Sequence, residues 1–217
     1  MKLSTILFDL DDTLYPPSNG IWSMIREKID EFMVINLNYS LADARIAQQA
    51  FFHQYGTTLR GLQTEYDIDP VKYLQFVHNI PVKEVIQPNL ELKNVLAEIP
   101  TRKIIFTNSD RWHANRVLEA LEISEFFDEV IDVLDMQPFC KPMPGAFELA
   151  FSKLKISDPT TCMIVDDNMR NISTAQSLGM LTVWVNHNPD GENLQQNQIQ
   201  RIEEIGKAIQ NLRIKEE

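Results

Sequence analysis

Short apolar runs that stop at polar groups recur along this chain, and longer stretches with helical spacing separate them. The first run, residues 3–8, reads as a buried strand and stops at Asp9-Leu10-Asp11-Asp12-Thr13. Ile21, Met24, Ile25, Ile29, Phe32 and Met33 then recur at helical spacing. Ser40 is placed to cap a second helix that runs through Phe51 and Phe52 and closes at Gly56. Residues 56–62 form a small, polar stretch with two glycines, and Asp69-Pro70 reads as an N-cap with proline at the first helical position. Residues 18–86 thus read as helices with no strand among them.

From Pro88 the pattern alternates. Helices are predicted over 90–99, 112–121, 144–154 and 169–178, and strands over 103–106, 130–133, 162–165 and 181–185. A charged amphipathic helix over about 194–214, with a solvated acidic and Gln-rich face, ends the chain. This alternation predicts an α/β fold: a doubly wound, mainly parallel, Rossmann-like sheet with right-handed crossovers. The helix-only stretch is too long for a normal connection and is expected to be an inserted α-helical cap domain. The expected division is a core of residues 1–17 and 87–217 with a cap of residues 18–86.

Composition narrows the classes. Hydrophobic residues make up 44% of the 217 and charged residues 24%, as in an ordinary globular protein. A net charge of −11 argues against nucleic acid as a partner. It also opposes a phosphate-bearing substrate at long range, so a metal ion and a few placed cations would have to reverse the sign locally. Cys140 and Cys162 have no metal-ligand spacing and read as structural, although Lys141 stands beside Cys140. No apolar run is long enough for a membrane span, and the apolar start is too short for a signal peptide and stops at Asp9. A cytoplasmic protein, monomer or homodimer, is expected.

The strand ends carry the chemistry, because open α/β sheets bind ligands beyond the carboxyl ends of their strands. Asp9 and Asp11 follow the first strand, and alternation along an extended backbone would point both side chains the same way. Thr107 and Asn108 follow the second, Lys141-Pro142 opens a helix, and Asp166-Asp167 follow a later strand. Carboxylates this close need a cation or a shared proton, and Mg²⁺ suits oxygen ligands beside a phosphate. The set fits phosphoryl transfer: Lys141 supplies charge, Thr107 and Asn108 supply phosphate donors, and one carboxylate attacks while another moves a proton.

These four motifs in this order resemble the haloacid dehalogenase superfamily of aspartyl-nucleophile phosphatases. The resemblance implies Asp9 as nucleophile, Asp11 as general acid/base, Thr107 as holder of the phosphoryl group and Lys141 as its screen. It implies Mg²⁺ bound by Asp9, the backbone carbonyl of Asp11 and Asp167, with Asp166 acting directly or through water. Asn171 stands where many members carry another Asp. The acid at Asp11 separates the chain from the namesake dehalogenases, which lack it. Leu14-Tyr15-Pro16, residues 55–62, Phe106-Thr107-Asn108 and His113 are similar to the pyrimidine 5′-nucleotidase branch, which implies a nucleoside 5′-monophosphate as substrate. Phosphoglycolate, a sugar phosphate, a phosphomutase reaction and a non-catalytic binding module are the alternatives.

Around this set several residues have two readings. Tyr15 either stacks on a base or packs the hinge, and Arg60 either meets the nucleotide or is a solvated cation. Thr57 and Thr58 either line the pocket or cap a helix. Asp12 is expected to be a structural acceptor, Thr13 to bond the local backbone and Asp110 to be an N-cap. His113 is expected on a helix surface or in support of the site. His53, His78 and His187 are given no chemistry.

Overall fold

The computed structural model describes residues 3–187 and 197–214. Six strands, β1 (Thr5–Phe8), β2 (Arg102–Phe106), β3 (Glu129–Ile131), β4 (Cys162–Asp166), β5 (Leu181–Val185) and β6 (Gln198–Ile199), form one sheet in the order β3-β2-β1-β4-β5-β6. All the pairings are parallel. Ile6, Leu7, Phe8, Ile104, Ile105, Phe106, Met163, Ile164 and Val165 are fully buried, as parallel strands covered on both faces require.

Five helices stand between β1 and the core's first crossover: α1 (Ile21–Leu37), α2 (Leu41–Tyr55), α3 (Thr58–Glu65), α4 (Pro70–Val77) and the short α5 (Val82–Val85). Crossover helices α6 (Leu90–Glu98), α7 (Arg111–Leu121), α8 (Pro144–Leu154) and α9 (Met169–Ser177) come next, and α10 (Ile205–Ile214) ends the described chain. Among the described residues no helix is long and apolar enough to cross a membrane.

The helix starts follow from side-chain caps. Ser40 accepts from the Asp43 amide, Asp69 from those of Val71 and Lys72, and Asp110 from that of His113. Thr57 accepts from the Arg60 amide, so residues 58–65 of the small polar stretch are a helix. Gly20, which ends a 3-10 turn at Pro17–Asn19 and leads into α1, has φ of 79°, a conformation that glycine adopts without strain.

The end of the chain departs from the prediction. Residues 194–196 lie outside the described residues, and residues 197–214 are not one helix. Asn197 and Ile199 accept from the Trp184 and Asn186 amides, which makes β6 a sixth strand on the sheet edge. A 3-10 turn at Ile202–Glu204 precedes α10. Ile199, Ile202, Ile205 and Ile209 are buried, so burial of apolar surface and not a solvated face sets this segment. A two-residue strand has no period to read.

Topology places the site. From β3 the chain crosses to β4 on the other side of β1, so the strand order reverses between β1 and β4. Phe8 pairs with both Ile105 and Val165, and this register brings Asp9, Thr107 and Asp166 together beyond the carboxyl ends of the central strands. Ligands of doubly wound folds sit at such a switch point.

In the helical segment α2 packs closely on α3. A Cβ at Gly61 would lie 2.4 to 2.5 Å from Phe51, with the Phe51 Cβ among the atoms met, so a ring rotation cannot relieve the clash. Gly61→Ala should therefore destabilise the protein by about 1–3 kcal/mol, despite alanine's better helix propensity. Urea unfolding measures this, and an unchanged or raised midpoint would contradict the packing.

Candidate active site

A buried ion cluster forms the floor of the site. The Lys141 ammonium, 1% exposed, donates to Asp9 Oδ1 at 2.7 Å and to Asp166 Oδ2 at 2.8 Å. Asp166 is saturated: it also accepts from the Asn168 amide and from Asn171 Nδ2, each at 2.9 Å. The Thr13 hydroxyl lies 3.1 Å from Asp9 Oδ2 and 3.2 Å from Asp167 Oδ1, and accepts the Asp167 amide at 3.1 Å. Thr13 therefore ties the first acidic loop to the loop after β4, a longer reach than the local backbone bond expected from the sequence.

The loop that carries Lys141 is held from two sides. Asn108 Oδ1 accepts the Lys141 amide and its Nδ2 donates to the Lys141 carbonyl, both at 2.9 Å. Both ends of this amide are thus engaged with the loop, where the sequence predicted a phosphate donor. Gly56, with φ of 90°, brings the end of α2 so close that a Cβ there would lie 3.0 Å from the Lys141 carbonyl oxygen. Cys140 donates to the Tyr55 carbonyl at 3.3 Å, and burial pushes its thiol up, so it is a structural thiol. Thr107 is buried, and its hydroxyl oxygen accepts the Ser109 amide, which leaves the hydroxyl proton free to donate.

One ammonium does not balance the carboxylates. Burial, with Asp166 and Asp11 nearby, raises Asp9 to about 7 even against Lys141. Burial, with Asp9, Asp166 and Asp12 nearby, raises Asp167 to about 8. Ligand oxygens of Asp9, Asp166 and Asp167 lie within 4.8 Å of one another. Crowded, proton-seeking carboxylates of this kind fit a hard divalent cation such as Mg²⁺. Asp9 and Asp167 have the spare lone pairs for it, whereas the Asp166 oxygens are already bonded.

Asp11 lies in a different environment. The loop folds back in a turn in which the Leu14 amide bonds the Leu10 carbonyl, and Asp11 lines the same cleft as Asp9. Asp11 Oδ1 accepts from the Tyr15 hydroxyl at 2.5 Å and lies 2.8 Å from His113 Nε2, and Oδ2 accepts from the Ser109 hydroxyl at 2.5 Å. Burial alone would raise its pKa, but His113, Ser109 and Tyr15 outweigh it and hold the carboxyl well below the usual range. His78 Nδ1 lies 2.7 Å from Asp110 Oδ2, and its ring stacks on that of His113 at 4.5 Å.

The sequence reading named Asp11 and allowed His113 a place in support of the site, but missed the Tyr15, Ser109 and His78 contacts that complete this centre. Tyr15 is 2% exposed and bonded to Asp11, so it is not available to stack on a base. His113 is fully buried, not on a helix surface, and His78 and His187 have partners, the latter at the Asp12 carbonyl. His78 is far from His113 in sequence, and no spacing rule connects them; the one local sign is Asp110, which caps the helix carrying His113.

The cleft above both centres holds about 750 Å³, within the range of roughly 300–1,000 Å³ for small-molecule sites. Asp9, Asp11, Thr107, Asn108, Lys141 and Asp167 line its floor. Trp22, Arg26, Arg45, Phe52, Thr57 and Thr58 line its walls. Thr57 both caps α3 and faces the cleft, and Thr58 lies 3.5 Å from the Gln48 carbonyl. Arg60 is not among the lining residues; the cations there besides Lys141 are Arg26, whose guanidinium is 5.9 Å from the Trp22 ring centre, and Arg45, which pairs with the buried Asp30 at 3.1 Å. Neither belongs to a motif that would mark it in the sequence: one stands on α1 and the other on α2. Asp12, with φ of 59°, also lines the cleft, and its Oδ1 is buried without a hydrogen-bond partner among the described residues. Asp12 is an acceptor in the loop through its backbone carbonyl, which lies 2.6 Å from His187 Nε2.

The chain is 27% identical over 187 residues to phosphate metabolism protein 8 of Saccharomyces cerevisiae; the match covers 80% of this chain and 58% of that relative. The chain thus spans less than two thirds of the yeast protein's length. It is 27% identical over 195 residues to a glyceraldehyde 3-phosphate phosphatase of Pyrococcus furiosus, over 84% of this chain and 80% of that one. In fold it is similar to the magnesium-bound HAD-hydrolase YfnB of Bacillus subtilis, with a TM-score of 0.64, 20% identity and coverage of 97% and 100%. The haloacid dehalogenase-like hydrolase family matches residues 3–179, a span that contains both carboxylate centres and the lysine between the strands, and the chain belongs to that family.

Proposed function

We propose that the chain is a Mg²⁺-dependent phosphomonoester hydrolase in which Asp9 attacks phosphorus and the substrate is a nucleoside 5′-monophosphate. The observation that carries the catalytic part is the pairing of Asp9 with Lys141 beside Asp167, with Asp11 in the same cleft. Residues 18–86 are read as a cap that closes over a core of residues 1–17 and 87–217 and excludes water from the first step.

In the first step an Asp9 carboxylate oxygen bonds to phosphorus and the ester oxygen leaves with a proton from Asp11. Lys141 and the free Thr107 hydroxyl stabilise the phosphoryl oxygens. An approaching phosphate dianion raises the proton affinity of Asp11, as a like charge does. In the second step Asp11 takes a proton from water, the water oxygen bonds to phosphorus, and Asp9 is released. Asp9, Asp167 and the Asp11 backbone carbonyl would hold Mg²⁺, which would supply further positive charge at the phosphoryl group. Asp166 acts through Lys141 and Asn171, as an anchor for the loop.

Support for a nucleotide comes from the size of the cleft, from the aromatic faces of Trp22 and Phe52 and from the Arg26 guanidinium. The Pyrococcus relative's name favours a second reading, a small phosphate ester such as a triose phosphate, phosphoglycolate or a sugar phosphate. Phosphate release from a panel of these esters with Mg²⁺ decides between them: the account predicts the highest kcat/KM on a nucleoside 5′-monophosphate, and a clear preference for a triose or sugar phosphate would replace it.

Asp9→Asn should remove turnover, by a factor on the order of 10⁴ or more, while the melting curve stays cooperative. A pure variant with near wild-type turnover would remove Asp9 from the role. Asp167→Asn should weaken Mg²⁺ binding, read by calorimetry on the protein without substrate, by about 10-fold or more. Unchanged affinity would place the ion elsewhere.

A further inference from the structure

Asp11 is held by donors from two parts of the chain, Tyr15 in its own loop and Ser109 and His113 after β2, and the contacts beyond them take no part in either step of the proposed hydrolysis. His113 is fully buried, with Nε2 2.8 Å from Asp11 Oδ1. A carboxylate only accepts, so the proton of this bond is on Nε2. His113 Nδ1 is buried with no partner among the described residues. The His78 ring stacked against it, at 4.5 Å and 21°, fixes the plane of the ring.

His78 is fixed in turn. Its Nδ1 lies 2.7 Å from Asp110 Oδ2, while Asp110 Oδ1 accepts the His113 amide at 2.8 Å. The Arg116 guanidinium donates to the His78 and Ile80 carbonyls. One carboxylate therefore caps the helix that carries His113 and orients the ring that packs on it. On the other side of Asp11, the Tyr15 hydroxyl is bonded to the same oxygen as His113 Nε2.

We infer that His113 is a positioning residue for Asp11: its Nε2–H, held in place by the stack on His78 and the Asp110 cap, keeps the Asp11 carboxyl in the one orientation that serves the leaving oxygen. Tyr15 shares this task. The inference rests on Asp11 being the general acid of the first step, and it adds how that acid is aimed. General acid catalysis matters most when the leaving group is a poor one, because an alkoxide needs the proton and a nitrophenolate does not. Loss of aim should therefore be selective between esters, whereas a merely structural fault would slow both.

The test is kcat/KM, which reports the steps up to transfer of the phosphoryl group, for UMP and for p-nitrophenyl phosphate with Mg²⁺. If another alkyl ester is the better substrate, it replaces UMP. His113→Phe keeps the stack and removes the donor. It should lower kcat/KM for the alkyl ester by about 10–100-fold, as a misaligned catalytic group does, and for p-nitrophenyl phosphate by less than about threefold. His113→Gln, whose amide nitrogen can reach the Nε2 position, should recover most of the loss, and Tyr15→Phe should show the same selectivity even if His113→Phe folds poorly. Equal losses on both esters, or no loss in His113→Phe and Tyr15→Phe, would overturn the inference while a dead Asp11→Asn variant left Asp11 in its role. An Asp11→Asn variant as active as wild type on the alkyl ester, or a wild type inactive on every ester, would overturn both readings.

Discussion

Two carboxylates and one ammonium are buried together beyond the carboxyl ends of β1 and β4, and much of the structure around them serves to keep them there. Lys141 bonds Asp9 and Asp166 at once, and removing one partner of such a buried set typically costs about 3–5 kcal/mol. Desolvation of three charges is tolerated because Asp166 is fully bonded and Lys141 donates to both carboxylates, while Asp9 keeps lone pairs to spare. Asn171 and the Asn168 amide fill Asp166, Thr13 serves Asp9 and Asp167, and Asn108 grips the Lys141 backbone. The crossover from β3 to β4 supplies the geometry, since it leaves a crevice where these groups converge. The remaining excess of negative charge, visible as the raised Asp9 and Asp167, is what a divalent cation would relieve.

Asp9 and Asp11 share one short loop with a single residue between them, yet their surroundings push them in opposite directions. Asp9 has one ammonium and two acidic neighbours and is raised to about 7. Asp11 has a hydroxyl on each oxygen and a histidine, and is lowered. A divalent cation bound at Asp9 would lower it toward the ionised form that attack needs, and a phosphate dianion beside Asp11 would raise it toward the protonated form that the leaving oxygen needs. An attacking group needs a cation beside it, and a proton carrier needs a fixed aim. The helical segment contributes to both: Gly56 and Tyr55 press on the lysine loop, and His78 packs on the histidine that reaches Asp11.

Where a residue's role depends on strand order and short-range chemistry, the chain could be read. Apolar runs ending in Asp9, Thr107 and Asp166 disclose a parallel sheet and its working edge. Ser40, Asp69 and Asp110 disclose helix starts because capping is local. Contacts made only by tertiary packing were out of reach. Tyr15 beside two prolines carries no sign that its hydroxyl will turn back to Asp11, and His78 and His113 meet only because α4 ends against α7's first turn. Arg60 had two readings, a nucleotide contact or a solvated cation; it is not among the residues that line the cleft, whereas Arg26 and Arg45 are. The last strand was invisible because two residues make no pattern.

The central claim is that Asp9 carries the phosphoryl group between the two half-reactions. The direct measurement is to quench the enzyme in acid during turnover, reduce the protein with borohydride and map it by mass spectrometry. An acyl phosphate is reduced to the alcohol, so the account predicts homoserine in place of Asp9 and no reduction at Asp11, Asp12, Asp166 or Asp167. Homoserine at another of these positions, or none anywhere while the leaving group appears in a burst ahead of phosphate, would contradict it.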